Sequence, residues 1–239
     1  MGHERRRYRV GEMVSSMNKA CMEYGVRALT EADVRDLTVL EVGSRNVNGS
    51  LRWHVERLSP ASYLGVDIVS GPGVDEICPV HGLIERFGHD RFDLVFSTEM
   101  LEHVRDWRAA LLNLKTVTKP GGILFFTTRS QGFGFHGYPF DFWRYELSDV
   151  AALFADFETL ALDPDLSEAG VFYKGRKPEG WKSRPLEDVE LYSIILNRRV
   201  RDVRGLDILS FRAVYLLRVA AARLLPQGIR RAIKRRWRR

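Results

Sequence analysis

Cysteine is scarce in this sequence: Cys21 and Cys78 are the two among 239 residues, and they form neither a disulfide framework nor a Cys-rich metal site. That usage leads to the expectation of a reducing cytoplasm, and the opening Met-Gly-His-Glu-Arg-Arg-Arg lacks the apolar stretch of a signal peptide. Long hydrophobic runs are missing too. Leu206–Leu225 is broken by Arg212, Arg218 and Arg223, which makes a bilayer crossing uncomfortable. No G-x-G-x-x-G occurs and no glycine loop is followed by Gly-Lys-Ser/Thr, so a dinucleotide cradle and a P-loop are both disfavoured. Histidines and carboxylates show no clear metal-ligand spacing along the chain, so the sequence assigns no metal ligand and leaves metal dependence open.

What is present is globular in kind, with 45% hydrophobic and 28% charged residues. The charge is lopsided. Residues 186–239 carry 14 Lys/Arg against 5 Asp/Glu, whereas residues 1–185 carry 23 against 26. The basic character therefore belongs to the C-terminal part and not to the body.

The most informative stretch is Thr-Val-Leu-Glu-Val-Gly-Ser-Arg-Asn-Val-Asn-Gly, residues 38–49. A short apolar strand ends in an acid, a glycine and a polar loop, and a helical pattern follows over Val47–Leu58. Glycine lets a ligand lie against the backbone, and a helix start presents unpaired N–H groups. Together they make a nucleotide-type pocket at the carboxyl end of a parallel sheet. Further strands are expected at Tyr63–Asp67, Phe92–Ser97, Ile123–Thr128, Glu158–Ala161 and Val171–Lys174. Helices are expected at Trp107–Val117 and Glu146–Phe154, with Lys119-Pro120-Gly121-Gly122 as a break. This alternation predicts an α/β fold, a Rossmann-like, mostly parallel sheet with helices on both faces. The organisation expected is a helical N-terminal cover over residues 1–36, a cofactor-binding domain over 37–180, and a helical basic C-terminal extension over 181–239.

Four motifs stand in register: Val-Leu-Glu-Val-Gly (39–43), Gly-Val-Asp (65–67), Phe-Asp-Leu-Val-Phe-Ser-Thr-Glu-Met-Leu-Glu-His-Val (92–104) and Lys-Pro-Gly-Gly-Ile-Leu (119–124). Over about residues 36–175 the chain resembles the class I S-adenosylmethionine-dependent methyltransferases, in particular the E-x-L-E-H (type 11-like) group. The resemblance implies S-adenosylmethionine as cofactor and S-adenosylhomocysteine as product. It places Glu41 near the cofactor's ammonium, Gly43, Ser44, Arg45, Asn48 and Gly49 in the first loop, and Asp67 with Ile68 at the ribose. Ser97, Thr98 and Glu99 end the strand that approaches the sulfonium. Family members often carry an Asp-Ala pair at the adenine amine, where this chain has Pro79-Val80. The adenine contact is then expected from backbone groups there or from His81.

Residues 128–145 hold the second distinctive pattern, aromatics interleaved with His136, Asp141 and Arg144, expected to form a lid over the pocket mouth. His-Gly-Tyr-Pro and Asp-x-Trp-Arg-Tyr segments are similar to those of methyltransferases of glycan-assembly clusters. Tyr138, Trp143 and Arg144 are therefore expected to bind an acceptor, while His136, Asp141 or His103 is expected to deprotonate its hydroxyl. The alternative for the aromatics and for His103 is a structural role in their loops. In the tail, Ile229, Ile233 and Trp237 make one stripe among basic residues. An interfacial helix on an anionic membrane through residues 226–239 is expected; phosphate binding to nucleic acid and a plain solvated terminus are the rivals. The function expected is O-methylation of a sugar or lipid-linked glycan at the inner membrane face, by a cytoplasmic or peripheral enzyme. Methylation of RNA or of a small lipid or quinone, and a degenerate cofactor-binding domain, are the alternatives.

Overall fold

The computed structural model describes residues 19–47, 49–137 and 141–224. It opens with α1 (Lys19–Ala28), α2 (Glu31–Val34), β1 (Thr38–Val42), α3 (Arg52–Arg57), β2 (Ser62–Asp67) and β3 (Glu76–Ile77). There follow α4 (Leu83–Phe87), β4 (Phe92–Thr98), α5 (Trp107–Val117), β5 (Thr118–Arg129), β6 (Trp143–Arg144) and α6 (Leu147–Leu153). The chain continues through β7 (Glu158–Asp165), β8 (Gly170–Arg176), β9 (Leu191–Ser193), β10 (Arg198–Val200) and α7 (Gly205–Leu224). Short 3-10 turns cover Val80–Gly82 and Leu101–His103.

The main sheet has seven strands in the order β3-β2-β1-β4-β5-β8-β7. The first five run parallel, and β8 pairs antiparallel with both β5 and β7. The strand order reverses between β1 and β4, so a crevice opens beyond the carboxyl ends of β1, β2 and β4. Alternation sorts the side chains onto two faces. Leu40, Val42, Val95, Leu124 and Phe126 join Trp107, Leu111 and Leu114 of α5 and Val150 of α6. Val39, Leu94, Phe96, Ile123 and Phe125 meet Leu29, Val34, Leu51 and Val55 on the other side. Both faces are thus covered by helices, which is why these strands read as nearly unbroken apolar runs. Phe125 is fully buried, and its truncation to Ala would cost about 3–5 kcal/mol.

The structure departs from the expected elements in four places. The helix drawn over Val47–Leu58 is confined to Arg52–Arg57. Before it, the Asn46 side chain accepts from the Gly49 N–H at 3.0 Å and Ser50 Oγ from the Arg52 N–H at 3.0 Å, bonds that compete with helical ones. Lys119–Gly122 does not precede β5 but forms a bulge within it, between the pairs Phe92–Thr118 and Leu94–Ile123; Pro is tolerated at such a point. The described part of the N-terminal cover, α1, packs on the sheet through Cys21 and a Tyr24–Phe172 ring stack at 4.3 Å, and gives no residue to the crevice wall. Residues 181–203 are not a separate extension. Leu191, Ile195, Val200 and Val203 join the main core, and β9 pairs with β6 and β10 in a small antiparallel sheet.

Candidate functional site

The crevice is a cleft of about 560 Å³. At its floor β1 ends in Gly43, whose φ of +78° favours glycine. A Cβ there would stand 2.9 Å from Met100 Cγ, so the site needs glycine for space as well as for φ. The Gly43 and Ser44 N–H groups both donate to the Val66 carbonyl, at 2.9 and 3.0 Å, which ties the loop to β2. Ten of the expected cofactor residues line the cleft: Glu41, Gly43, Ser44, Arg45, Gly49, Asp67, Ile68, Val80, Thr98 and Glu99. Pro79 and Ser97 do not line it, and Asn48 lies outside the described residues. His81 is turned away, its Nε2 3.1 Å from the Asp106 carbonyl, and it does not line the cleft, whereas its neighbours Val80 and Cys78 do, with Ile68 and Val69.

Three acidic side chains line the cleft, Asp67, Glu41 and Glu99. Asp67 caps β2 and accepts from the Arg45 and Val69 N–H groups, each at 3.2 Å, so its position is set by backbone rather than by a cation. Glu41 is 2% exposed. Burial pushes its carboxyl up to about 8, although hydrogen bonds from Tyr63 and Ser50 and the Arg52 charge pull the other way. Glu99 holds a left-handed backbone at φ +54°, a strained state that clusters at functional sites. Its side chain accepts from Thr127 Oγ1 at 2.9 Å and pairs with Arg129. Burial and the neighbouring Glu102 raise its pKa against the pull of Arg129.

His103 and His136 also stand on the cleft wall, with ring centroids 4.8 Å apart. His136 Nδ1 lies 3.1 Å from Asp141 Oδ2, and its backbone N–H donates to the same oxygen at 2.9 Å. Asp141 is itself gripped by Arg144, through Nη1 to Oδ1 at 2.6 Å and Nη2 to Oδ2 at 2.9 Å. The guanidinium also donates to the carbonyls of Phe133 and Gly134, at 3.0 and 2.9 Å. Burial raises the Asp141 pKa, but the bonds from Arg144 and His136 outweigh it and hold the carboxyl well below the usual range.

These facts correct part of the expected acceptor site. Asp141 and Arg144 have no exposed surface, and neither does Trp143, whose indole donates to the Val104 carbonyl at 3.0 Å. They cannot touch an acceptor. Asp141 positions His136 instead of taking a proton, and Arg144 straps the 133–137 loop. Tyr138 lies outside the described residues. The sequence reading also passed over Arg129 and Glu102. Glu102 is fully buried; one carboxylate oxygen accepts from Thr128 Oγ1 at 2.9 Å, while the other has no hydrogen-bond partner among the described residues. Its only signal in sequence was its place beside His103.

A glycine turn at the reversal point of a parallel sheet, with an acid closing the next strand, defines a class I nucleotide-cofactor fold of the methyltransferase kind. The model of the methyltransferase domain family matches residues 13–159, and the chain belongs to that family. No curated protein matches it in sequence. Among solved structures, an S-adenosylmethionine-dependent methyltransferase from Mesorhizobium loti is 16% identical at TM-score 0.50, covering 66% of this chain and 98% of that one. The 1,6-didemethyltoxoflavin-N1-methyltransferase of Burkholderia thailandensis, solved with its substrate and S-adenosylhomocysteine, is 18% identical at TM-score 0.50, covering 68% and 80%. These likenesses are of fold. S-adenosylmethionine is the cofactor, and the residues fit it. The cradle at Gly43 excludes any Cβ, Ser44 Oγ is buried without a partner among the described residues, and the Glu41 carboxyl is held near-neutral where a cation would ionise it.

Proposed function

We propose that this protein transfers a methyl group from S-adenosylmethionine to a hydroxyl of a sugar or lipid-linked glycan. The observation that carries the reading is the make-up of one cleft. Asp67, Glu41 and Gly43, the residues fitted to the cofactor, line it together with His103 and His136, which we assign to an acceptor end. The bound cofactor supplies an already activated sulfonium methyl. What the chain must add is alignment, exclusion of water and removal of the acceptor proton.

Each part of the wall has a share in this. The Asp67 carboxylate, braced by two peptide N–H groups, is placed to accept from a pair of ribose hydroxyls. Glu41, once ionised, pairs with an ammonium. The Arg129–Glu99 pair also lines the cleft and braces its wall. Holding the two reactants in line can account for most of the acceleration. The Asp141 contact orients the His136 imidazole and leaves its Nε2 for the acceptor. Proton removal adds roughly 10²–10⁴ in rate.

Support for a glycan comes from the resemblance of residues 128–145 to methyltransferases of glycan-assembly clusters. Support for a lipid-linked acceptor at a membrane face comes from α7, where Leu206, Leu209, Leu216 and Leu217 are all more than half exposed. No helix among the described residues is long and apolar enough to cross a membrane. The basic residues 226–239 follow that helix in sequence and lie outside the described residues.

The test uses radiolabelled S-adenosylmethionine with the purified chain and a fractionated extract of the source organism. Label entering the lipid-extractable or polysaccharide fraction, and lost with Asp67→Ala, is the expected result. Label in RNA or in water-soluble small molecules overturns the acceptor class. No label together with no cofactor binding overturns the enzyme reading and leaves a non-catalytic domain.

A further inference from the structure

Three side chains that lie apart in the sequence reading, Glu102 and His103 of the E-x-L-E-H signature and His136 of the 128–145 stretch, meet at the acceptor end of the cleft. Glu102 Oε1 lies 4.0 Å from His103 Nε2 and 3.9 Å from His136 Nε2. One ligating atom from each of the three falls within 4.8 Å of the others. We propose that Glu102, His103 and His136 bind one divalent transition-metal ion of the zinc or cobalt type, and that the acceptor hydroxyl takes its open coordination position. This deepens the methyltransferase reading of the cleft and rests on it for the identity of the fourth ligand alone.

Four observations converge on the ion. First, Glu102 is fully buried, and Oε1 has no hydrogen-bond partner among the described residues. A buried carboxylate oxygen left bare is costly, and a cation is the group that relieves it. Second, the other oxygen of Glu102 is fixed by Thr128 Oγ1 at 2.9 Å, so Oε1 is aimed by a bond that a ligand carboxylate ordinarily has. Third, His136 Nδ1 meets Asp141, which Arg144 holds by two bonds. Carboxylate–histidine–metal is the arrangement that fixes a ligand imidazole's tautomer and aims its other nitrogen at the ion. Fourth, both imidazole side chains are 30% exposed to the cleft while the Glu102 side chain is fully buried, which gives an entry path on one side and a closed floor on the other.

Geometry and donor type choose the class of ion. Bonds of about 2.1 Å at tetrahedral angles place donors about 3.4 Å apart. The observed 3.9 and 4.0 Å separations close to that by small rotations of the two part-exposed rings. Two imidazoles and one carboxylate favour zinc, cobalt, nickel or iron over magnesium and calcium, which prefer oxygen. Three protein ligands leave a position open, as in catalytic rather than structural sites. An acceptor hydroxyl bound there would lose its proton near neutral pH. The O–H bond breaks, the proton passes to solvent at the cleft mouth, and the oxygen remains on the ion facing the cofactor end. His136 Nε2 is then a ligand and no longer the base, its part in removing the acceptor proton being taken by the ion, and Asp141 is a positioning residue acting through it.

The experiment uses the full chain without an affinity tag, freed of metal by a chelator and titrated with Co²⁺ under visible spectroscopy and with Zn²⁺ by calorimetry. S-adenosylhomocysteine binding is measured in parallel. The expected result is one ion per chain with cobalt ligand-field bands in the visible. His136→Gln and His103→Gln should each weaken it at least 100-fold, and Asp141→Asn roughly 10–100-fold, with S-adenosylhomocysteine binding kept by all three. Retained S-adenosylhomocysteine binding also certifies the fold of each variant, and Glu102→Gln provides a fourth that preserves side-chain volume. Cobalt bands that persist unchanged in both histidine variants, or no stoichiometric ion in a chain that still binds S-adenosylhomocysteine, overturn the metal site and leave the methyltransferase reading intact. A chain that binds one ion through these residues but no S-adenosylhomocysteine overturns that reading and leaves the site standing.

Discussion

At the residue scale, the cofactor end of the cleft depends on two acids held in opposite ways. Asp67 is braced by peptide N–H groups in a part-open setting, so its oxygens are held in place to accept further hydrogen bonds. Asp67→Ala should leave the melting temperature within a few degrees and weaken S-adenosylhomocysteine binding roughly 10–100-fold, as loss of a charge-assisted bond implies; unchanged affinity by calorimetry would remove Asp67 from the site. Glu41 is sealed in, with its carboxyl pushed up to about 8 from an ordinary 4.5. Between those values the folded chain holds a proton that the unfolded chain has released, so stability falls as pH rises through that window. Denaturant midpoints from pH 5 to 8 should therefore decline more steeply for the wild type than for Glu41→Gln, and parallel profiles would contradict the buried-acid account. A cationic ammonium beside Glu41 should also drive its proton off. Cofactor binding at pH 7 should then release close to one proton, read from binding enthalpies in buffers of different ionisation heat, and no buffer dependence would sink that contact. Glycine and acid at a strand end are legible in sequence because their roles are local. The adenine end was not, since His81 is drawn away by the Asp106 carbonyl, a partner 25 residues on.

Among elements, the strap of residues 133–137 and 141–145 shows where sequence reasoning stops. Its interleaved aromatics and charges resembled a sugar platform, yet Phe142, Trp143 and Tyr145 are buried. Trp143 and Arg144 form β6, which pairs with β9, itself backed by β10, and these strands were not foreseen because strands of two or three residues carry no periodicity. By contrast α5 lies where its pattern placed it. Eleven residues with one apolar face and an Asp106 cap accepting from Ala109 at 3.1 Å are specified almost entirely by local sequence. The strap is anchored by the buried Arg144–Asp141 pair, and removal of one partner leaves an uncompensated charge. Arg144→Met should cost about 3–5 kcal/mol, a fall in melting temperature of roughly 10 °C for a chain of this length. The double variant Asp141→Asn/Arg144→Met should cost less than Arg144→Met alone, because no bare charge remains. Equal losses in a thermal melt would show that packing, not the ion pair, holds the strap.

For the whole molecule, the question is why a catalytic body of slight negative charge carries so basic an end. Like-charged repulsion would keep residues 1–185, with 23 Lys/Arg against 26 Asp/Glu, from lying flat on an anionic surface, so any attraction must come through the C-terminal part. There α7 turns Ile208, Phe211 and Tyr215 toward the body, where Phe211 and Tyr215 meet Phe135 at 5.1 and 5.5 Å. Leu206, Leu209, Leu216 and Leu217 are left outward. Phe135 is the residue before His136, so α7 packs beside the cleft wall through this cluster of rings. The seven Lys/Arg of residues 226–239 would each add about 1 kcal/mol near an anionic leaflet, and the leucines an apolar contribution that salt does not screen. Flotation with phosphatidylcholine–phosphatidylserine vesicles separates the two. The full chain should float with the vesicles, and a chain ending at Leu225 should lose at least tenfold in binding while keeping S-adenosylhomocysteine affinity. Raised salt should abolish most of the binding of the full chain. Leu209→Ser/Leu216→Ser should instead remove a smaller, salt-insensitive share. Equal flotation of the shortened and full chains would sink the membrane role of the tail. Binding of the shortened chain to RNA no weaker than that of the full chain would sink the phosphate alternative too, leaving the positive end as solvated charge.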